Sequence, residues 1–216
     1  MKGLLVKDFK LMKGQQSFFI IVVLVSILTA VVSSPSFVIA YLSFIGSAFT
    51  LSTLSYDEFD NGNAFLFSLP ITRTEYILEK YGFALITGGA FWLAGIVIAI
   101  ITQAFKNPSA TKDIIIDALA VLPVLFIILA VMFPFQLKFG GEKGRIAIIA
   151  AAGAVAITGV IIFKISEMFN MDLSLIYSYL QKTDIKTLIL AVIVVSVLIL
   201  FISFKTSLVI IYKKEF

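Results

Sequence analysis

The segment YDEFDNGNAFLFSLPITRTEYILEKY, residues 56–81, decides how the rest of the chain is divided. It is the longest charged interruption in a sequence that is 60% apolar and 14% charged. Soluble domains are roughly half apolar and about a quarter charged. The apolar blocks around the segment can cross a bilayer, since a spanning helix needs about 20 mostly apolar residues. The chain is therefore predicted to be an all-α integral membrane protein with little mass outside the bilayer.

Six transmembrane spans fit the apolar blocks of this single transmembrane domain. Spans 1 and 2 occupy residues 17–53 as 17–32 and 37–53, and Ser33-Ser34-Pro35-Ser36 favours a turn between them. Spans 3 and 4 fall within 81–137, span 5 is 146–163, and span 6 lies in 187–212. A charged segment, 55–80, separates spans 2 and 3, and a longer outer loop, 164–186, precedes span 6.

The basic residues predict the orientation in the membrane. With the N-terminus inside, 12 of the 17 Lys and Arg residues fall in inner segments. Cytoplasmic loops carry such an excess, so both termini are predicted to be cytoplasmic. The net charge of +4 is explained in the same way, and no nucleic-acid partner is expected.

Residues 1–14 are predicted to form an interfacial helix. At 100° per residue, four lysines (Lys2, Lys7, Lys10 and Lys13) share one face, and most of the apolar residues share the other. Val6 and Asp8 fall on the wrong faces, and Asp8 is expected to face protein because it is costly in lipid. The alternative is a short basic flank of span 1.

Several kinds of chemistry are excluded by composition. The chain contains neither His nor Cys, which removes histidine-dependent nucleophilic catalysis and nearly all zinc sites. A G-x-x-x-x-G-K-[ST] phosphate loop is also absent, and the glycines at 140–144 lack its spacing. We therefore expect no catalytic, cofactor or metal site. Any ATP that drives the protein would be bound by a partner.

Span 2 carries a weakly polar stripe at helical spacing. Its candidate site residues are Ser43, Ser47 and Thr50, with Gly46 and Thr53 on the same side. Such a stripe must avoid lipid, so it faces either another helix or a transport pathway. The sequence leaves both possibilities open.

The segment after span 2 contains its own helix-end and helix-start signals. Asn61-Gly62 favours a helix end, an apolar run with two phenylalanines covers 64–69, and Pro70 closes that run. Thr72-Arg73-Thr74-Glu75 is a capping box that predicts a helix running into span 3. Aromatic anchors within a charged rim are typical of protein-binding surfaces. The alternative is an interfacial loop whose phenylalanines rest among lipid headgroups.

Over nearly its whole length the chain resembles a short permease of the ABC type-2 exporter class. The resemblance depends on the MKGLLVKDFKLMK opening, the acidic exit from span 2, the run SLPITRTEYILEKY, and six spans with a longer loop before the last. The nearest likeness is to small bacterial permeases that export peptides.

That resemblance implies a function in the bacterial plasma membrane. Two permeases, either two copies or related chains, would pair around a pathway for hydrophobic or amphipathic peptides, and each would bind a cytoplasmic ABC ATPase. A short coupling helix between spans 2 and 3 would dock on that ATPase. The residues implied for docking are Asp57, Glu58, Asp60, Phe65, Phe67 and Arg73.

Two other functions remain open from the sequence. A vitamin-binding membrane subunit of an energy-coupling-factor importer is also small and six-spanned, although such subunits dock through small residues on the first span. The clear Ala-xxx-Ala pairs of this chain are on span 5 instead. A membrane anchor or assembly factor without a transport role is the other possibility.

Overall fold

The protein folds as a bundle of helices with two of its short helices at one end. A computed structural model describes residues 2–59, 62–106, 114–168 and 185–214, without the side chains of 142–168 and 185–186. These ranges contain seven helices and no strand. In chain order they are α1 (Lys2–Gly14), α2 (Gln16–Val32), α3 (Pro35–Glu58), α4 (Gly62–Ser68), α5 (Arg73–Lys106), α6 (Ile114–Met168) and α7 (Ile185–Lys213).

Four helical stretches are long and apolar enough to cross a membrane: Pro35–Glu58, Arg73–Lys106, Ile114–Gly141 and Thr187–Lys213. A fifth arises if α1 and α2, which meet at a bend of 66°, count as one broken span. The all-α membrane fold is thus confirmed, while the count of six spans stays a prediction. Predicted span 5 falls in the part of α6 whose side chains are not described, and most of the loop 164–186 lies outside the described residues.

The predicted start of α5 is confirmed by its hydrogen bonds, whereas α3 begins at Pro35, two residues before the predicted start of span 2. Pro35 occupies the first turn of α3, directly after the Ser33–Ser34 turn. At the start of α5, the backbone N–H of Thr72 donates to the Glu75 carboxylate (3.1 Å), and the N–H of Glu75 donates to the Thr72 hydroxyl (3.2 Å). This reciprocal pair is a capping box, so the local sequence alone starts the 34-residue helix α5.

Helix α6 is interrupted at Gly140. Its φ of 78° is in the left-handed region, which glycine enters without the steric cost of a Cβ. Pro123 and Pro134 lie inside the helix, yet the non-helical backbone is at the glycine. The break therefore separates the apolar stretch Ile114–Gly141 from the remainder of α6.

Helix α3 lies at the centre of the bundle, packed mainly against α5 and α6. Glycines on α5 allow the close approach. A Cβ built on Gly88 would lie 1.9 Å from the Ser47 hydroxyl oxygen, and one on Gly95 would lie 2.9 Å from the Ile39 Cα. Small residues are favoured at such interfaces because they let helix backbones come together in a membrane.

Candidate functional site

A group of charged side chains is buried where α1, α3 and α5 meet. We call Lys7, Asp8, Asp57, Glu79 and Lys80 the ion cluster. Lys80 Nζ lies 2.5 Å from Asp8 Oδ2 and 2.8 Å from Asp57 Oδ2, and it donates to the Thr53 hydroxyl at 3.0 Å. Asp8 and Lys80 are fully buried. Helix α5 thereby supplies one ammonium group that neutralises carboxylates from both α1 and α3.

Asp57 is shared between three partners. Besides Lys80 it pairs with Lys7 of α1, and it accepts a hydrogen bond from the Tyr76 hydroxyl at 3.2 Å. Thr53, one turn earlier on α3, donates to Asp8 at 2.9 Å. The C-terminal end of α3 is therefore fastened to α1 and α5 by charged hydrogen bonds, which are the stronger kind.

Glu79 is the cluster's unmatched charge. Its side chain is buried, and among the described residues neither carboxylate oxygen has a hydrogen-bond partner. The nearest cation is Lys80 Nζ at 3.8 Å. The cluster holds three carboxylates and two ammonium groups, so it is short of one positive charge when all are ionised.

Helix α4 presents opposite faces to the protein and to the outside. Phe65 is 71% exposed, whereas Leu66 is buried in the core that includes Leu4 and Tyr76. The Phe67 ring meets the Tyr76 ring edge-on at 5.5 Å between centroids. Because the Tyr76 hydroxyl binds Asp57, α4 is connected through one side chain to the ion cluster.

Glu58 links three parts of the chain at the same end of the bundle. One carboxylate oxygen accepts a hydrogen bond from the backbone N–H of Gly141 (2.9 Å), directly after the break in α6. The other accepts from Lys214 Nζ (2.8 Å), which also reaches the carbonyl of Leu137. Glu58 therefore caps the second part of α6, where helix N–H groups lack backbone partners.

Arg73 holds the end of α7. Its guanidinium donates to the carbonyls of Ile211 (2.8 Å) and Tyr212 (2.6 Å). It also lies over the rings of Phe67 and Tyr212, at 5.8 and 6.0 Å from their centroids. These carbonyls are at a helix C-terminus, where a cation is favoured.

The residues predicted to dock on a partner thus have different surroundings. Phe65 faces outward, Phe67 is half-buried, and Asp57 is 5% exposed and engaged by three side chains. Glu58 and Arg73 contact distant backbone groups of the chain itself. Asp60 lies outside the described residues.

Phe59, which was not in the predicted set, is as exposed as Phe65. It lines a surface cavity of about 300 Å³ with Gln15, Ser52, Ser55 and Tyr56.

The polar stripe of span 2 lies in the interface between α3 and α5. Ser43, Ser47 and Thr50 are buried, and the hydroxyls of Ser43 and Ser47 donate to backbone carbonyls of Ile39 (2.6 Å) and Ala84 (3.3 Å). In this conformation the stripe contacts a neighbouring helix.

The ion cluster was largely missed from the sequence. Lys80 and Glu79 were placed in the charged segment without a role, because helical spacing alone does not show which distant carboxylate meets them. One signal was present. Asp8 fell on the apolar face of the predicted N-terminal helix, and that face packs against protein, with Leu4 and Asp8 both buried.

Comparison with known families identifies the architecture. The family model described as "ABC-2 family transporter protein" matches residues 3–212. The chain belongs to the ABC-2 transporter family. Among curated proteins and solved structures, no match was found. Family membership makes the chain the multi-pass membrane subunit of an ABC transporter and implies a cytoplasmic ABC ATPase as its partner.

Among the described residues no group of His, Cys, Asp and Glu could hold a metal ion. Side-chain contacts connect the short helix α4 to α1, α3, α5 and α7.

Proposed function

We propose that this chain is the permease subunit of an ATP-driven exporter, and that α4 is the coupling helix that docks on the ATPase. The observation that carries the proposal is the arrangement of α4, with Phe65 exposed and Leu66 and Phe67 packed inward. An exposed aromatic side chain on a helix that is already packed in place suits a binding anchor, because little conformational entropy is lost when it binds.

The contacts behind α4 support a transmitting role. A displacement of Phe67 presses on Tyr76, whose hydroxyl binds Asp57 in the ion cluster. Arg73 adds a link from the same region to the end of α7. A displacement of α4 caused by a partner would therefore be transmitted to α1, α3, α5 and α7 together.

Two copies would form the pathway, in the plasma membrane of a bacterium and with both termini in the cytoplasm. The polar stripe of α3 is occupied by packing within one copy, so cargo would pass between copies. The outward faces of α2 and α7 are strongly apolar, which suits lipid, a second copy, and hydrophobic or amphipathic peptides. The family match favours this exporter function over the vitamin-importer alternative.

The test is co-purification of the tagged permease with a cytoplasmic ABC ATPase co-expressed from the same genome. Phe65→Ala should reduce the bound ATPase about tenfold or more, as removal of a hot-spot aromatic does. Phe105→Ala is the matched control, because Phe105 is 89% exposed at the opposite end of α5. Equal ATPase binding by both variants and the wild type would contradict the docking role of α4. Light scattering of the complex should give two permeases and two ATPases.

A further inference from the structure

The outward face of α1 is basic and carries no carboxylate. Lys2, Lys10 and Lys13 are exposed on it, and Val6 lies between them with 53% of its surface exposed. The acidic residue of this helix, Asp8, is buried on the opposite side. The face therefore offers three cations and the apolar side chain of Val6 to whatever lies outside.

The position of α1 indicates which environment its basic outward face meets. Helix α2 follows after one residue, is apolar along its length, and is bent 66° away from α1. If α2 crosses the bilayer, α1 must leave the direction of the span near the headgroups. Lysines beside an apolar side chain at that depth match an anionic lipid surface, which the lysines reach while Val6 enters the acyl boundary.

The inward face of α1 is part of the ion cluster. Asp8 pairs with Lys80 and accepts from Thr53, and Lys7 pairs with Asp57. Asp57 in turn binds Tyr76, on which Phe67 of α4 packs. The packing of α1 against the ion cluster is therefore connected, through Asp57 and Tyr76, to the packing of α4.

We propose that the outward face of α1 binds anionic lipid headgroups, and that this binding seats α1 on the ion cluster and orders α4. The first part concerns this chain alone. The second part depends on the proposed function only in naming α4 the coupling helix. The permease would then engage its ATPase best in a membrane rich in anionic lipid.

The lipid site is tested on the full chain in nanodiscs of phosphatidylcholine alone or mixed with phosphatidylglycerol. The sequence has no cysteine, so Val6→Cys gives a single labelling position for a fluorophore quenched by nitroxide lipids. Phosphatidylglycerol should increase quenching. In the Lys2→Gln/Lys10→Gln/Lys13→Gln background the increase should vanish, and high salt should reduce it in the wild type by screening.

The matched control removes three exposed lysines elsewhere, as Lys138→Gln/Lys205→Gln/Lys213→Gln. This variant should keep the full response to phosphatidylglycerol. Equal quenching of the Val6→Cys label in both lipids, with all lysines present, would overturn the lipid site. An equal loss of response in the control would show only diffuse attraction by net charge, which also overturns it.

The link to α4 is measured with a spin label at Ala64→Cys, an exposed position on that helix. Phosphatidylglycerol should lower the label's mobility in the wild type and leave it unchanged in the α1 triple variant. A mobility that is the same in both lipids, while the α1 label responds, would overturn the ordering of α4. Both measurements use the permease alone, so failure of ATPase docking would be seen separately by co-purification.

Discussion

Lys80 Nζ lies 2.5 Å from Asp8 Oδ2, and both side chains are completely buried. This pair joins the start of α5 to α1 across 72 positions of the sequence. Burying two charges is costly unless each is paired and hydrogen-bonded. Lys80 also meets Asp57 and Thr53, while Asp8 Oδ1 has no hydrogen-bond partner among the described residues but lies 3.2 Å from Lys7 Nζ. The loss of one member should therefore cost far more than the loss of an exposed ion pair.

Lys80→Met should strongly destabilise the permease. The change keeps the length and apolar stem of the side chain but leaves Asp8 and Asp57 with Lys7 as their remaining ammonium partner in the cluster. Removing one partner of a buried pair costs about 3–5 kcal/mol. Thermal unfolding in detergent measures the effect, with the exposed Lys138→Met as control. Similar melting temperatures for the two variants would show that the buried pair contributes little.

Glu79→Gln should not lower the stability of the permease, whereas Asp8→Asn should. Glutamine removes the cluster's unmatched charge, so two carboxylates face two ammonium groups, and stability should stay the same or rise by about 1 kcal/mol. Asp8→Asn removes a charge that is paired with Lys80 and should lower stability. The two melting temperatures, measured side by side, decide the matter. A loss in Glu79→Gln as large as that in Asp8→Asn would mean that Glu79 has a strong partner.

Local features of this fold could be predicted from the sequence, and long-range ones could not. The Thr72–Glu75 capping box depends on residues within one turn, so its pattern is sufficient. The short helix expected at 64–69 is found at Gly62–Ser68 for the same reason. Lys80 meeting Asp8, or Glu58 meeting Gly141, depends on how separate helices pack.

The candidate site shows the same division. The sequence breaks at Asn61-Gly62 and Pro70 bound the run that contains Phe65 and Phe67, but only packing shows that Phe65 is exposed while Phe67 meets Tyr76. An acidic run at 57–60 looks like a solvated rim in the sequence. In the fold, Asp57 pairs with the buried Lys80 and the half-buried Lys7, and Glu58 caps a helix, because α1 and the break in α6 lie against the end of α3.

Gly95→Ala tests the close contact between α3 and α5. Its new Cβ would lie 2.9 Å from the Cα of Ile39, and backbone cannot move away cheaply, so we expect a loss of about 1–3 kcal/mol. Gly89→Ala in the same helix meets nothing within 4 Å and should be neutral or stabilising by about 0.5–1 kcal/mol. Chemical denaturation in mixed micelles compares them. Equal effects of the two substitutions would show that the helices do not approach so closely.

Glu58→Ala should loosen the break in α6 without unfolding the protein. The backbone N–H of Gly141 then loses its acceptor, and Lys214 loses its carboxylate partner. A charge-assisted hydrogen bond of this kind contributes about 1.5–3 kcal/mol, so hydrogen exchange at Gly141 should accelerate by roughly tenfold or more. Glu75→Ala is the matched control, since Glu75 caps the start of α5 instead. That variant should speed exchange near residue 72 and leave Gly141 unchanged. Unaltered exchange at Gly141 in Glu58→Ala would show that another group caps this helix.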